Sequence, residues 1–296
     1  MKTLGIKKNF LAIEKEISSY EKSKIVILSA PFEKTVSYGK GTVSGPKEIV
    51  KASHYVEFYD EEFDRELVFE KGIATLPEMK FKDESVKKGI NKIYKQVKEL
   101  IADDKFVVTL GGEHSLSSAP AKAHFEAYEN FSVLQIDAHS DFRDTYNGSK
   151  YSHASVMARV AEFTKDIVQV GIRAQCIEES KFIQENGIKT YYMRDIRIGK
   201  HGEDWQQKVM DDLKENVYVT FDVDGLDPSV INATGTPEPG GLLWDETMNL
   251  FRKIGENKNI VGFDVVELAP SKYHESSSFV TAKLVYKLLN YSFINK

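Results

Sequence analysis

The sequence predicts an α/β protein, a parallel sheet covered by helices on both faces. Two observations carry this. Short apolar runs rich in Val and Ile alternate with longer stretches of helical period. No low-complexity linker, Pro-rich hinge or internal repeat interrupts the alternation, so residues 1–296 read as a single domain.

Taken in order, Ile25–Ala30 reads as the first strand, and Ser44-Gly45-Pro46 then places a proline at the start of a helix running towards His54. Asp83–Ala102 carries Val86, Ile90, Ile93, Val97 and Ile101 at the spacing of one helix face. Strands follow at Phe106–Gly111, Ser132–Ala138, Ile167–Gly171, Thr190–Met193, Val217–Val223 and Ile260–Glu267. Helices are expected between and after them at Ser115–Tyr128, His153–Phe163, Glu178–Asn186, Asp204–Leu213, Asp245–Ile254 and Ser277–Leu289. Lys87-Lys88 and the run from Lys92 to Lys98 read as wet faces of a helix.

Composition excludes several classes of function. With 41% hydrophobic and 29% charged residues the chain is that of an ordinary globular protein, and a net charge of −5 without basic excess argues against nucleic acid as a partner. The N-terminal Lys2, Lys7 and Lys8 are followed by no apolar core, and no uncharged run approaches the ~20 residues of a membrane span. The expected compartment is therefore the cytoplasm, without a membrane partner. The single cysteine, Cys176, excludes an internal disulfide and has no His-Asn partners that would mark a thiol nucleophile.

Open parallel sheets bind ligands at the carboxyl ends of their strands, where buried chain turns into loop. The chemistry-bearing motifs sit there. Gly111-Gly112-Glu113-His114 follows one expected strand, Asp137-Ala138-His139-Ser140-Asp141 another, and Asp222-Val223-Asp224 a third. If the strand alternation continues, Asp137 and His139 face one side together, as do Asp222 and Asp224. Asp141 falls just beyond, and His114 arrives across a glycine pair that permits a tight turn.

Four carboxylates this close repel one another and take up protons unless cations of similar total charge sit among them, and two divalent ions balance them. Oxygen donors with two nitrogens and no sulfur favour manganese-type ions over a structural zinc. Two ions sharing carboxylates can hold a water between them, lower its pKa and direct it at an electrophilic carbon, which implies hydrolysis.

These motifs, with Ser152-His153-Ala154-Ser155, Asp222 to Ser229, Gly235-Thr236-Pro237-Glu238-Pro239-Gly240-Gly241-Leu242 and Asp264-Val265-Val266-Glu267-Leu268, resemble those of the ureohydrolases, the arginases and agmatinases, in their order from Ser29 onward. The resemblance implies a three-layer α/β/α sandwich around about eight parallel strands, assembled as a homotrimer or homohexamer. It implies two Mn2+ ions per subunit. One would be held by His114, Asp137, Asp141 and Asp222, the other by Asp137, His139, Asp222 and Asp224, with Asp137 and Asp222 bridging. Asp141, His153 and Glu267 would be the catalytic groups, Glu267 pairing with a guanidinium through parallel hydrogen bonds and His153 shuttling protons to the leaving amine. Thr236 would support the site indirectly, and Asp227 is expected to hold a turn before Pro228. His54, His124, His201 and His274 lie outside the motifs and are expected to be ordinary surface or core residues.

The loop Phe142 to Tyr151 departs from the arginase pattern and resembles agmatinase-type enzymes, as does Tyr38-Gly39-Lys40-Gly41-Thr42. Agmatine is thus the first expectation, cleaved by a metal-bridging hydroxide to putrescine and urea on a route to polyamines. Aminopropylagmatine, guanidinobutyrate and arginine stand as alternatives, as does a non-catalytic metal-binding homologue. Arg143 and Asp144 are expected to meet the substrate's far end beside His153 and Glu267. A free cation at Arg143 or Lys150 would repel agmatine's amine, and Asp144 is placed to neutralise one of them.

Overall fold

The chain is described by a computed structural model that covers residues 1–296 except Asp83 and His274; the expected helix start at Asp83 and the expectation for His274 lie outside the described residues. Eight strands form one sheet: β1 Ile25–Ala30, β2 Ile73–Thr75, β3 Phe106–Gly111, β4 Phe131–Ile136, β5 Ile167–Val170, β6 Lys189–Tyr191, β7 Asn216–Asp222 and β8 Asn259–Val266. Every pairing is parallel, in the order β2-β1-β3-β8-β7-β4-β5-β6.

Successive residues of one strand point to opposite faces, and β1 shows that both faces are covered. Ile25 and Ile27 pack in the cluster that holds Leu284, Leu288 and Phe293, whereas Val26, Leu28 and Ala30 pack with Ile93, Val97 and Leu100. The first set comes from the helix Glu275–Ser292 and the chain just after it, and the second from the helix Val86–Ala102, so helices lie on both sides of the sheet. This is the α/β/α sandwich expected.

Three differences from expectation have a physical cause. The strand β2 has only three residues, too short to leave a pattern, and is held at the edge by pairing with β1. The Thr190–Met193 run ends at Tyr191, and Met193 opens a helix. After β7 the chain turns at once into the 3-10 turn Val223–Gly225, and after β4 residues 137–141 lie outside the strand, with only the isolated bridge His139↔Ala174. Strand alternation is therefore not what aligns Asp137 with His139 or Asp222 with Asp224. The Asp137 carboxylate accepts the His139 N–H at 2.6 Å, and the Asp222 carboxylate accepts the Asp224 N–H at 2.9 Å. Each pair is set by an Asx turn, in which a short carboxylate bonds its own backbone two residues on.

The four strands whose ends bear the motifs, β3, β8, β7 and β4, are consecutive in the sheet. Their registers, Leu110↔Val265, Asp222↔Val266 and Ile136↔Phe221, bring His114, Glu267, Asp222 and Asp137 to one level just past the last pairs. Gly112 lets the chain leaving β3 pass close to the segment after β1, because a Cβ there would lie 2.2 Å from the Phe32 carbonyl oxygen. Among the described residues no helix is long and apolar enough to cross a membrane.

Gly112→Ala is expected to destabilise the fold by about 1–3 kcal/mol, since the obstructing atom is backbone and cannot rotate away; urea unfolding checks this, and an unchanged midpoint would contradict it.

Candidate metal centre and catalytic cleft

All six expected ligands converge at the ends of β3, β4 and β7. His114 Nδ1 lies 3.0 Å from Asp137 Oδ2, 3.2 Å from Asp141 Oδ2 and 3.4 Å from Asp222 Oδ2. His139 Nδ1 lies 3.0 Å from Asp224 Oδ2 and 3.6 Å from Asp137 Oδ1. Two groups of candidate ligand atoms result, His114-Asp137-Asp141 and Asp137-His139-Asp224. Asp137 belongs to both through its two oxygens. Asp222 joins the His114 group by its Oδ2, while its Oδ1 is committed to the Asp224 N–H.

These residues fit divalent ions on two grounds. His114 Nδ1 is buried, faces three carboxylate oxygens and makes no hydrogen bond, whereas its Nε2 is held 2.9 Å from Thr220 Oγ1. A histidine tied through one nitrogen and orphaned on the other is arranged as a metal ligand. The donors are hard oxygen and imidazole nitrogen, which suit manganese-type ions.

The supporting groups are as ordered as the ligands. Thr220 Oγ1 donates to Asp264 Oδ1 at 2.8 Å, and the Asp264 carboxylate also accepts from Ser117 and Tyr218. Gln135 Nε2 donates to Asp137 Oδ2, and the Ala138 N–H to Asp224 Oδ1. Asp141 and Glu267 both hold left-handed backbone, φ 56° and 64°, a conformation that costs free energy off glycine and that tertiary contacts must maintain.

Charge is distributed unevenly without cations. Burial favours the neutral form of Asp137, but the His114 and His139 imidazoles overcome it and hold the carboxyl well below the usual range. Burial, then the charge of Asp137, pushes Asp141 up to about 7; burial with Asp224 and Asp137 raises Asp222 well above a normal carboxylate. Burial disfavours imidazolium at both histidines, yet Asp224 and Asp137 push His139 up to about 12, and the surrounding aspartates raise His114 well above its ordinary value.

The centre forms the floor of a cavity of about 290 Å3 whose walls include Tyr38, Arg143, Tyr146, His153, Glu179, Thr236, Glu238 and Glu267. Glu267 accepts the His114 N–H at 2.6 Å, and burial pushes its carboxyl up to about 8. His153 is lowered from its ordinary value by burial, and Thr35 stands 3.3 Å from its Nδ1.

Arg143 reaches the cavity but is not free: Nε lies 3.7 Å from Glu179, and the guanidinium stands 5.4 Å from the centre of the Tyr146 ring. Asp144 is not among the cavity residues; it pairs with Arg159 at 2.9 Å and with Lys150 at 3.8 Å. Asp227 holds a turn as expected, accepting from Ser229, Gly240 and Gly241.

Sequence reasoning missed Arg173, which donates to the carbonyls of Gly171, Asp224, Gly225, Leu226, Glu238 and Pro239 and so locks three loops around the site. A lone arginine past a strand end, after Gly171-Ile172, was the available signal. It also missed Thr35, which nothing local distinguishes.

The chain matches the model of the Arginase family over residues 23–290. It is 36% identical to the N(1)-aminopropylagmatine ureohydrolase of Synechocystis sp., over 96% of this chain and 94% of that protein. With the agmatinase of Pyrococcus horikoshii it shares 32% identity, over 90% of this chain and 91% of the relative. The solved agmatine ureohydrolase of Thermoplasma volcanium superposes with a TM-score of 0.85 at 28% identity, covering 99% of this chain and 95% of that one.

The surrounding aspartates favour the protonated form of both site imidazoles in the metal-free protein, and ligation through Nδ1 requires that nitrogen to be free of its proton. Loading with manganese at pH 8 is therefore expected to release roughly two or more protons per subunit. Calorimetry in buffers of different ionisation enthalpy measures this, and metal uptake without proton release would contradict it.

Proposed function

The chain belongs to the arginase family, and on that premise we propose that it hydrolyses the guanidino group of agmatine, yielding putrescine and urea. The observation that carries this reading is the placement of Glu267, a buried carboxylate in the wall of the cleft, hydrogen-bonded to the backbone N–H of His114, whose ring belongs to the cluster with Asp137 and Asp222. A planar cation bound there lies against the cluster.

The residues divide the work as follows. Glu267 Oε1 is fixed by the His114 N–H, so its carboxylate presents a defined plane to the guanidinium, which it binds through parallel hydrogen bonds. An incoming guanidinium keeps that carboxylate ionised although its surroundings, burial foremost, push it up to about 8. His114, Asp137, Asp141, Asp222, Asp224 and His139 would hold two divalent ions, manganese by donor type, with Asp137 and Asp222 shared. When bound, such ions acidify a water and orient it towards the guanidino carbon.

Guanidinium plus water gives urea plus an alkylammonium, so both protons of the water end on the departing nitrogen. His153 is lowered below its usual value and neutral near pH 8, ready to accept one proton at Nε2 and pass it to the amine.

The far end of the cleft suits a cationic tail. The pairing with Glu179 and the Tyr146 ring offsets the charge of Arg143, and the Glu238 carboxylate makes no hydrogen bond or ion pair among the described residues. That unpaired carboxylate supports a second reading, the longer aminopropylagmatine, on which the Synechocystis relative is named to act. Arg143 then orders Glu179 and Tyr146 at the substrate's far end, and Asp144 acts on substrate only through Arg159 and Lys150. We also place the whole chain, residues 1–296, in one ureohydrolase unit, working in the cytoplasm as a homotrimer or homohexamer.

Manganese-loaded protein offered agmatine, aminopropylagmatine, guanidinobutyrate and arginine is expected to release urea from the first two with kcat/KM at least roughly tenfold above the others, a difference of about 1.4 kcal/mol. Urea from none of them would refute the reading. Glu267→Gln is expected to lower kcat/KM roughly 10- to 100-fold, the value of a hydrogen bond to a charged group. Asp222→Asn is expected to lose urea release and bound metal together, as read by assay and metal analysis.

A further inference from the structure

We propose that Thr35 is a positioning residue that, anchored by Glu113, sets the tautomer of His153 and so leaves Nε2 as the nitrogen that exchanges protons in the cleft. This rests on the function proposed above, in which His153 carries a proton.

Glu113 is fully buried, and its carboxylate accepts the N–H groups of Lys34 and Thr35, the Thr35 hydroxyl at 2.8 Å and the Ser115 hydroxyl. Two backbone N–H groups and two hydroxyls converge on this carboxyl group, with Thr35 Oγ1 as a donor to Oε1, so the single hydroxyl hydrogen of Thr35 is spent on Glu113. The two remaining lone pairs of Thr35 Oγ1 face the His153 backbone N–H at 3.1 Å and the ring Nδ1 at 3.3 Å. Both contacts must then be donations from His153. Neutral His153 therefore carries its hydrogen on Nδ1, and Nε2, which has no hydrogen-bond partner among the described residues, is left with a lone pair.

Tyr146 meets the ring edge-on at a centroid distance of 5.5 Å, and Thr35 anchors it through both backbone and Nδ1, so rotation about the ring axis is opposed from two directions. The opposite tautomer would set a hydrogenless Nδ1 against an oxygen whose hydrogen is already committed. The chain reaches across from the segment after β1 to do this, and Glu113 ties that segment to the turn that carries His114.

Thr35→Val keeps shape and removes the hydroxyl, and Thr35→Ser restores it. Loss of tenfold or more in kcat with little change in KM is expected for Thr35→Val, and near-complete recovery in Thr35→Ser, with bound metal equal in all three proteins. A Thr35→Val enzyme with undiminished kcat, or a Thr35→Ser enzyme impaired as severely as Thr35→Val, would overturn the proposal. A second readout does not depend on turnover: 15N spectra of histidine-labelled, magnesium-loaded protein at pH 8. The wild type is expected to show the Nδ1–H tautomer at His153 and Thr35→Val a mixture or the Nε2–H form. An Nε2–H tautomer in the wild type, or no change in Thr35→Val, overturns the inference even if the enzyme is active. Absence of urea from every guanidino compound, with the expected tautomers observed, would instead overturn the function.

Discussion

Four aspartates buried against one another at the end of a sheet are the constraint around which the rest of the molecule is arranged. Each carboxylate withdrawn from water loses solvation, and each neighbour of like charge adds to the loss. Without cations the protein offsets this with protons, pushing Asp141 up to about 7, Asp222 well above a normal carboxylate and both imidazoles towards their charged form. Divalent ions would replace those protons. The same crowding therefore makes the unloaded site costly and the loaded one favourable, and it explains why so many neutral donors surround the ligands.

Those donors form two hydrogen-bonded sets behind the ligands. Asp264 gathers Ser117, Tyr218 and Thr220, and Thr220 in turn fixes the ring of His114. Gln169 donates to Gln135, and Gln135 to Asp137. A ligand oriented through such a set keeps its geometry when the charge among the carboxylates changes, which a ligand on a mobile loop does not. Arg173 extends the same logic to the rim, drawing six backbone carbonyls from three loops onto one guanidinium.

The loop Phe142 to Tyr151 answers the electrostatic difficulty that its sequence raises. Arg143 and Lys150 look like free cations facing a cationic substrate, yet Glu179, from the helix Ile177–Asn186, lies within ion-pair distance of the first, and Asp144 of the second. Asp144 is spent on that surface pairing rather than on the cavity. Glu179 lies more than thirty residues along the chain, so no local pattern could have linked it to Arg143.

By itself the sequence determined the sheet, seven of its strands within a residue or two, and pointed to the six residues that converge in the candidate metal centre, because apolar periodicity and carboxylate-imidazole chemistry are both local signals. It did not reveal the strand β2, whose three residues carry no period, nor why Asp137 and His139 act together, which rests on an Asx turn and not on strand alternation. Only the tertiary structure decided that β3, β8, β7 and β4 lie side by side, that Thr35, held by Glu113, meets His153, and that Arg143 is paired. Each of these is a contact between residues far apart in the chain, and the order in which strands enter a sheet, not the residues within any one strand, determines which distant side chains meet.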